Sequence, residues 1–535
     1  MQHFSLLMLC GVCLASAALP ACAQPGGFGF TQTDGRVVVD TGAELVFSVD
    51  TRNGDLVSMR YRGNELQTLE AKGSQIASGL GAAHVETKTV GDVIVITAQA
   101  GDLTHYYLAH RDRNAIYMAT YAPTLLPVGE LRFVARFNVS KLPKAAQGTD
   151  SNVGQAIEGK DVFLLADGRT SSKFYSARPM IDDALHGVSG PGVAVYMLMG
   201  NRELSAGGPF FKDIATQKTA TTHEMYNYMF SNHTQTEAYR GGLHGVYGLL
   251  FTDAGPPSSA LTDLRFVNNS LGLRGYVDSA ARGSVSAHLS GVAPGLPALI
   301  GLSNASAQYW ARADARGDAQ LTGVRAGQYR TTLYQNELEV ARGSVDVKTG
   351  SLAHTELNAQ PTAGRMNWQI GVPDGTPTGF LNANQLTSAH PSDARMAAWK
   401  PLTYTVGSSA ISEFPAAQWR DVNSPTRIDF MLGANEVHDY RLRLYVSLEQ
   451  AGGRPRVTVN HTWEAPVAAA SNQPESRGIT RGTYRGNNTL FEINVPRTAL
   501  HAGQNSLEID VASGKTGSGF LSPGFVYDSV QWVSP

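Results

Sequence analysis

The stretch at 131–139 reads LRFVARFNV. Leu131, Phe133, Ala135 and Phe137 alternate there with Arg132, Val134 and Arg136. A period of two marks a strand that buries one face. Both arginines then project from the other face, roughly 13 Å apart along the chain. Other segments read alike. VVVDTGAELVFSVD at 37–50 and DVIVITAQA at 92–100 are strand-like. GVAVYMLMG at 192–200 is a nearly continuous apolar run, suited to a strand covered on both faces. No long segment carries the 3.6-residue period of an amphipathic helix. The chain is expected to be all-β, opening with a large antiparallel β-sandwich (a supersandwich) over 24–270.

The chain has 535 residues, too many for one ordinary domain, and its 56 glycines suit many short strands joined by turns. Residues 271–360, with GYVDSAARGSVSAHL and AGQYRTTLYQNELEVARGSVDV, suggest about seven short strands in about ninety residues, the size of a fibronectin type III-like sandwich. Residues 361–535 open on the turn-rich VPDGTPTGF and continue with HDYRLRLYVSL and RPRVTVNHTW. A C-terminal jelly roll fits that length and pattern.

A net charge of -2, without a basic excess or a run of like charges, argues against nucleic-acid binding. Residues 1–23 read as a signal peptide: LLMLCGVCLASAAL is apolar, and ACAQ offers a cleavage site before Gln24. The expectation is a secreted monomer, free of the membrane once the leader is removed. LPAC at 19–22 leaves a lipid anchor through Cys22 as the alternative. Cys10, Cys13 and Cys22 all lie in the leader, so the mature chain would have no disulfide and no thiolate chemistry.

Several polar residues stand out. Lys173, in SSKFYS, sits among small and aromatic residues; a surface lysine is the plain reading, a desolvated general base the sharper one. His244, in GGLHGVYG, is flanked by Tyr239, Arg240 and Tyr247, with Gly241, Gly242 and Gly245 allowing close approach. Arg132 and Arg136 offer forks for a carboxylate, or are ordinary solvated charges. Asp182 and Asp183 invite a glycosidase reading, but adjacent residues need not converge, and a turn role suits them better. His105 and His110, or His223 and His233, lack metal-ligand spacing. A structural calcium in the jelly roll has no ligand pattern to mark it.

LRFVARFN, TSSKFYSARPMIDD, SAGGPFFKDI, TEAYRGGLHGVYGLLFT, HPSDARMAAWKPLTYTVGSS and SRGITRGTYRG together resemble the rhamnogalacturonan lyases of polysaccharide lyase family 4, across essentially the whole mature chain. The resemblance implies a catalytic β-sandwich, a fibronectin type III-like domain and a carbohydrate-binding-like jelly roll. It implies β-elimination at the rhamnose-α-1,4-galacturonate bonds of rhamnogalacturonan I, leaving an unsaturated uronate. It places Lys173 and His244 as catalytic residues, and Arg132, Arg136, Tyr239 and Arg240 at the substrate. Val246 stands where proline is expected, and the chain is lengthened around QKTATTHEMYNY.

The chemistry fits cations near a uronate. Removing the C5 proton piles up negative charge beside the carboxylate, and positive groups must stabilise it. Arginines would serve here, with no catalytic metal or other cofactor. Low-pKa Lys173, depressed by Arg132 and Arg136, would take the proton and His244, as imidazolium, would protonate the departing oxygen; the reverse order stays open. Two rivals remain. A glycoside hydrolase on the same polymer would need two carboxylates, with Asp182 and Glu237 the first pair to test. A non-catalytic pectin-binding protein would need neither Lys173 nor His244.

Overall fold

The structure, a computed structural model, describes residues 27–33, 35–68, 70, 72–145, 154–231, 233, 237–474 and 478–534. The expected leader, its cleavage site and the anchor alternative at Cys22 lie outside them. Among the described residues, no helix is long and apolar enough to cross a membrane.

The decisive stretch forms the strand Leu131–Asn138. Leu131, Phe133, Ala135 and Phe137 are buried in one large core, as the alternation requires. The strand pairs antiparallel with Thr222–Phe230, setting Arg132 opposite Tyr228, Val134 opposite Tyr226 and Arg136 opposite Glu224. Cross-strand partners share a face. Arg132, Val134, Arg136, Glu224, Tyr226 and Tyr228 therefore line the outer side of this four-stranded sheet. The segment QKTATTHEMYNY supplies most of that partner strand and of its neighbour Thr216–Lys218.

An eight-stranded sheet and a five-stranded N-terminal sheet share the same core with it. The eight-stranded sheet includes Ala115–Ala122, Val193–Leu198 and Gly242–Thr252. The apolar run at 192–200 is explained there. Val195 and Met197 face the large core, while Leu198 and Tyr196 join a second cluster with Val267, Leu271 and Leu273. Phe133 is wholly buried, so Phe133→Ala is expected to cost about 3–5 kcal/mol. Denaturant unfolding followed on this sandwich would read that loss.

Seven strands from Arg282 to Asn358 make two facing sheets of three and four around Val285, Ile300, Leu302, Tyr329 and Leu333. The last block forms two five-stranded sheets around a core that includes Trp419 and Trp532, both wholly buried. The chain is all-β in three sandwich units, as expected. Glu203 of the first unit bonds Arg282, Arg325 and Tyr309 of the second.

Buried carboxyls divide by environment. Burial pushes Asp528 up to about 7 and Asp55 up to about 6. A carboxyl raised on folding adds stability that is complete below its unfolded value of about 4 and is lost as pH rises through the folded value. Asp183 and Glu203 go the other way. Burial opposes their charge, but His186 and Arg202 outweigh it at Asp183, holding it well below the usual range, and Arg282, Arg325 and Tyr309 bring Glu203 down to about 2. Their contribution is present above about 4 and is lost as pH falls. The melting temperature is expected to peak at about pH 4 and fall on both sides. Asp528→Asn should shrink the alkaline loss. A steady rise from mildly acid to alkaline pH would contradict the assignment.

Candidate active site

Lys173 opens a 3-10 turn, Lys173–Tyr175, directly after the short strand Thr170–Ser172. The turn forms because Ser172 caps it, its hydroxyl accepting from the Phe174 N–H at 3.2 Å. Phe174 is buried against Val134, Ile214, Tyr226 and Tyr228. That packing fastens the turn to the outer face of the four-stranded sheet, the face that carries Arg132.

A run of contacts joins the lysine to the arginine. The Phe174 ring stands edge-on to His233 at 5.5 Å, and His233 lies 5.9 Å from the Tyr228 ring. Tyr228 accepts a 2.6 Å hydrogen bond from Arg132, whose guanidinium also lies over the Tyr226 and Tyr228 rings at 5.8 and 5.4 Å. Glu130 holds the same guanidinium from the side at 3.0 Å. His233 is partly exposed, and its Nδ1 lies 3.1 Å from Asp213 Oδ1, a carboxylate that fixes the ring. Burial pushes the Tyr228 hydroxyl well above the ordinary phenol range, so it stays protonated between Arg132 and the open side. The Lys173 amine, the His233 imidazole, the Tyr228 phenol and the Arg132 guanidinium thus follow one another along a run of contacts, all but Tyr228 about a quarter exposed.

Lys173 is not isolated from carboxylates, as its sequence neighbours suggest. Its Nζ pairs with Asp161 Oδ1 at 2.9 Å, and both side chains are about a quarter exposed. Asp161 lies twelve residues upstream, in the turn between Gln155–Glu158 and Val162–Leu164, and no local signal ties it to the lysine.

His244 does not belong to this group. It pairs with Thr120 in the eight-stranded sheet, and Thr120 faces the sandwich interior, bonded to Tyr247 and His105. Tyr239 bonds the His244 Nε2 at 3.2 Å and gives its own proton to the Ala122 carbonyl. Burial pushes the His244 imidazole down to about 4, with the Arg240 backbone opposing this only in part. Near neutral pH it is uncharged, which corrects the expectation of an imidazolium. The glycines around it lie against the protein itself: a Cβ on Gly241 would stand 2.0 Å from the Pro123 carbonyl oxygen, and one on Gly242 3.1 Å from the Leu204 side chain.

Two other expected binding residues have donors engaged within the protein. Arg240 is buried and spends its donors on Asn304, Ser205, Glu237 and Ser303, tying the first sandwich to the second. Arg136 pairs with Glu224 at 2.8 Å and donates to the Gly73 carbonyl. Glu224 in turn accepts a very short hydrogen bond from Tyr226. The rival carboxylates are engaged too. Asp182 pairs with Arg312 of the second sandwich, Asp183 with His186 and Arg202, and Glu237 with Arg240.

Sequence patterns alone do not single out Tyr226, Tyr228, Asp161 or Asp213. EMYNYMF at 224–230 does show Tyr226 and Tyr228 two apart on one face, which is a usable signal. His233 stands out in the sequence only as a metal-ligand candidate without the spacing for one. Among the described residues, no three His, Cys, Asp or Glu side chains group as they would to hold a metal ion.

Comparison with known proteins covers nearly the whole chain. Residues 28–275 match the family described as rhamnogalacturonan lyase B, N-terminal. Residues 284–355 and 367–532 match domains II and III of polysaccharide lyase family 4. A probable rhamnogalacturonate lyase A of Aspergillus fumigatus is 41% identical over 520 residues, 96% of this chain and 98% of its own. Rhamnogalacturonate lyase A of Aspergillus aculeatus is 39% identical over 530 residues, 98% and 99% of the two chains. That of Emericella nidulans is 39% identical over 523 residues, 97% and 98%.

Proposed function

The chain belongs to the rhamnogalacturonan lyases of polysaccharide lyase family 4, and from that premise we propose how its outer sheet face performs the elimination. The enzyme is a lyase that cleaves the rhamnose-α-1,4-galacturonate bonds of rhamnogalacturonan I. The observation that carries the site is the convergence of Lys173, His233, Tyr228 and Arg132 along one run of contacts.

The galacturonate carboxylate binds at Arg132, which Glu130 and Tyr228 hold in place. The Lys173 Nζ takes the C5 proton. The electron pair left on C5 delocalises into the carboxylate, and Arg132 stabilises the enolate-like charge there. Those electrons then form the C4–C5 double bond and the C4–O4 bond breaks. His233, oriented by Asp213, gives its proton to the departing oxygen, which leaves on rhamnose. The products are a 4,5-unsaturated galacturonate at the new non-reducing end and a free rhamnose reducing end. Arginine charge takes the part that a metal ion plays elsewhere, so the rate should be unchanged by chelators. Export of the mature chain from the cell belongs to the same reading, since a pectic polymer is met outside it.

Arg132→Met is expected to lower kcat by about 10²–10³, since it removes a charge aimed at the developing enolate. Arg136→Met should instead lower stability, because Arg136 serves Glu224 and the Gly73 carbonyl. Steady-state kinetics and melting temperatures on both variants test the division. Equal losses of kcat would return Arg136 to the substrate site.

A further inference from the structure

We propose that Arg481, from the third sandwich, is a positioning residue for the elimination: it shares Asp161 with Lys173 and so sets where the amine stands. The inference rests on the reading of Lys173 as the base.

Asp161 is the hinge of the arrangement. Its Oδ1 holds the Lys173 Nζ at 2.9 Å, and its Oδ2 lies 3.3 Å from Arg481 Nη1. Arg481 Nε bonds Glu158 Oε1 at 2.7 Å. One guanidinium therefore grips both carboxylates of the hairpin that reaches Lys173. The first strand of that hairpin has little apolar anchoring of its own, since Gln155, Ala156 and Ile157 are all exposed, whereas Val162 of the second is buried. Glu158, which ends the first strand, and Asp161, in the turn after it, are held by the polar grip. The Arg481 guanidinium also lies 6.0 Å from the Phe174 ring centre, close to the lysine's own turn.

The third sandwich holds the other side of the turn as well. Asp393 accepts from the Thr170 N–H at 2.6 Å and its hydroxyl at 2.7 Å, and Tyr175 donates to the Thr480 carbonyl at 2.8 Å. Gly482 fits flush there: a Cβ on it would stand 2.7 Å from the Tyr175 ring. The C-terminal unit thus builds the wall behind Lys173.

The charges explain why Arg481 matters to chemistry. Arg481 faces both Glu158 and Asp161, and Asp161 also holds the Lys173 amine. Without Arg481, both carboxylates turn on Lys173, whose amine is then drawn toward the hairpin. A misplaced base costs turnover, by as much as about 10²-fold for an ångström, and leaves affinity nearly intact.

The test is a double-mutant cycle on the full chain, with a short rhamnogalacturonan oligosaccharide as substrate. Arg481→Met is expected to lower kcat at least about ten-fold with KM nearly unchanged. Arg481→Lys, which keeps the charge but not the fork, should recover part of the loss. In an Asp161→Asn background, Arg481→Met should add less than about two-fold, because the path through Asp161 is already cut. Tyr175→Phe breaks an interface bond beside Arg481 without touching Asp161, and should leave kcat within about two-fold. A raised KM at unchanged kcat, or losses that multiply independently of Asp161, would overturn the proposal. If Arg481→Met does not fold, the cycle is read with Arg481→Lys instead. An active Lys173→Ala would sink the reading of the lysine. An inactive Lys173→Ala beside an unimpaired Arg481→Met would sink only this inference.

Discussion

Lys173→Ala is expected to lower the formation of unsaturated uronate by about 10²–10⁴, the weight of a general base. Polymer binding should be spared, because Arg132 rather than Lys173 holds the carboxylate. The fold should be spared too. Lys173 is about a quarter exposed, and its main polar contact is the surface pair with Asp161. Exposed pairs contribute about 0–1 kcal/mol. Ultraviolet absorbance of the product measures the rate, and co-sedimentation with the polymer measures binding. Normal elimination by this variant would remove Lys173 from the mechanism.

The second large effect separates two histidines. His233→Ala is expected to lower kcat by about 10²–10⁴, since it removes the acid that serves the leaving oxygen. Asp213→Asn should follow it in part, because the ring loses its orientation. His244→Gln should behave differently. His244 is buried beside Tyr239 and Thr120, so its replacement should lower the melting temperature and leave kcat within about ten-fold. Kinetics and thermal unfolding on the same preparations decide between the two. A dead but fully stable His244→Gln, with an active His233→Ala, would reverse the assignment.

The two outcomes rest on how the strands face. Alternation at 131–137 is a local signal, so the buried set and the arginine face are both legible in the amino-acid sequence. The strand-dense middle block is legible for the same reason. The identity of the histidine is not. His244 sits in a glycine-rich stretch that reads as a ligand site, yet those glycines lie against the protein's own atoms, Gly241 against Pro123 and Gly242 against Leu204. His233 reads as ordinary, and only Phe174 and Tyr228 bring it to the lysine. Arg136 and Arg240 show the same limit. An arginine's sequence position does not tell whether a glutamate waits across the strand, as Glu224 does for Arg136. Asp161 and Arg481 reach Lys173 from twelve and over three hundred residues away, through tertiary packing alone.

The most direct test uses the purified mature protein with rhamnogalacturonan I in excess chelator, following the absorbance of the conjugated uronate alongside new reducing ends. The account predicts that both rise together, at the rate seen without chelator, and that Lys173→Ala and His233→Ala abolish both. New reducing ends without absorbance would mean hydrolysis, and would contradict elimination by this lysine and histidine.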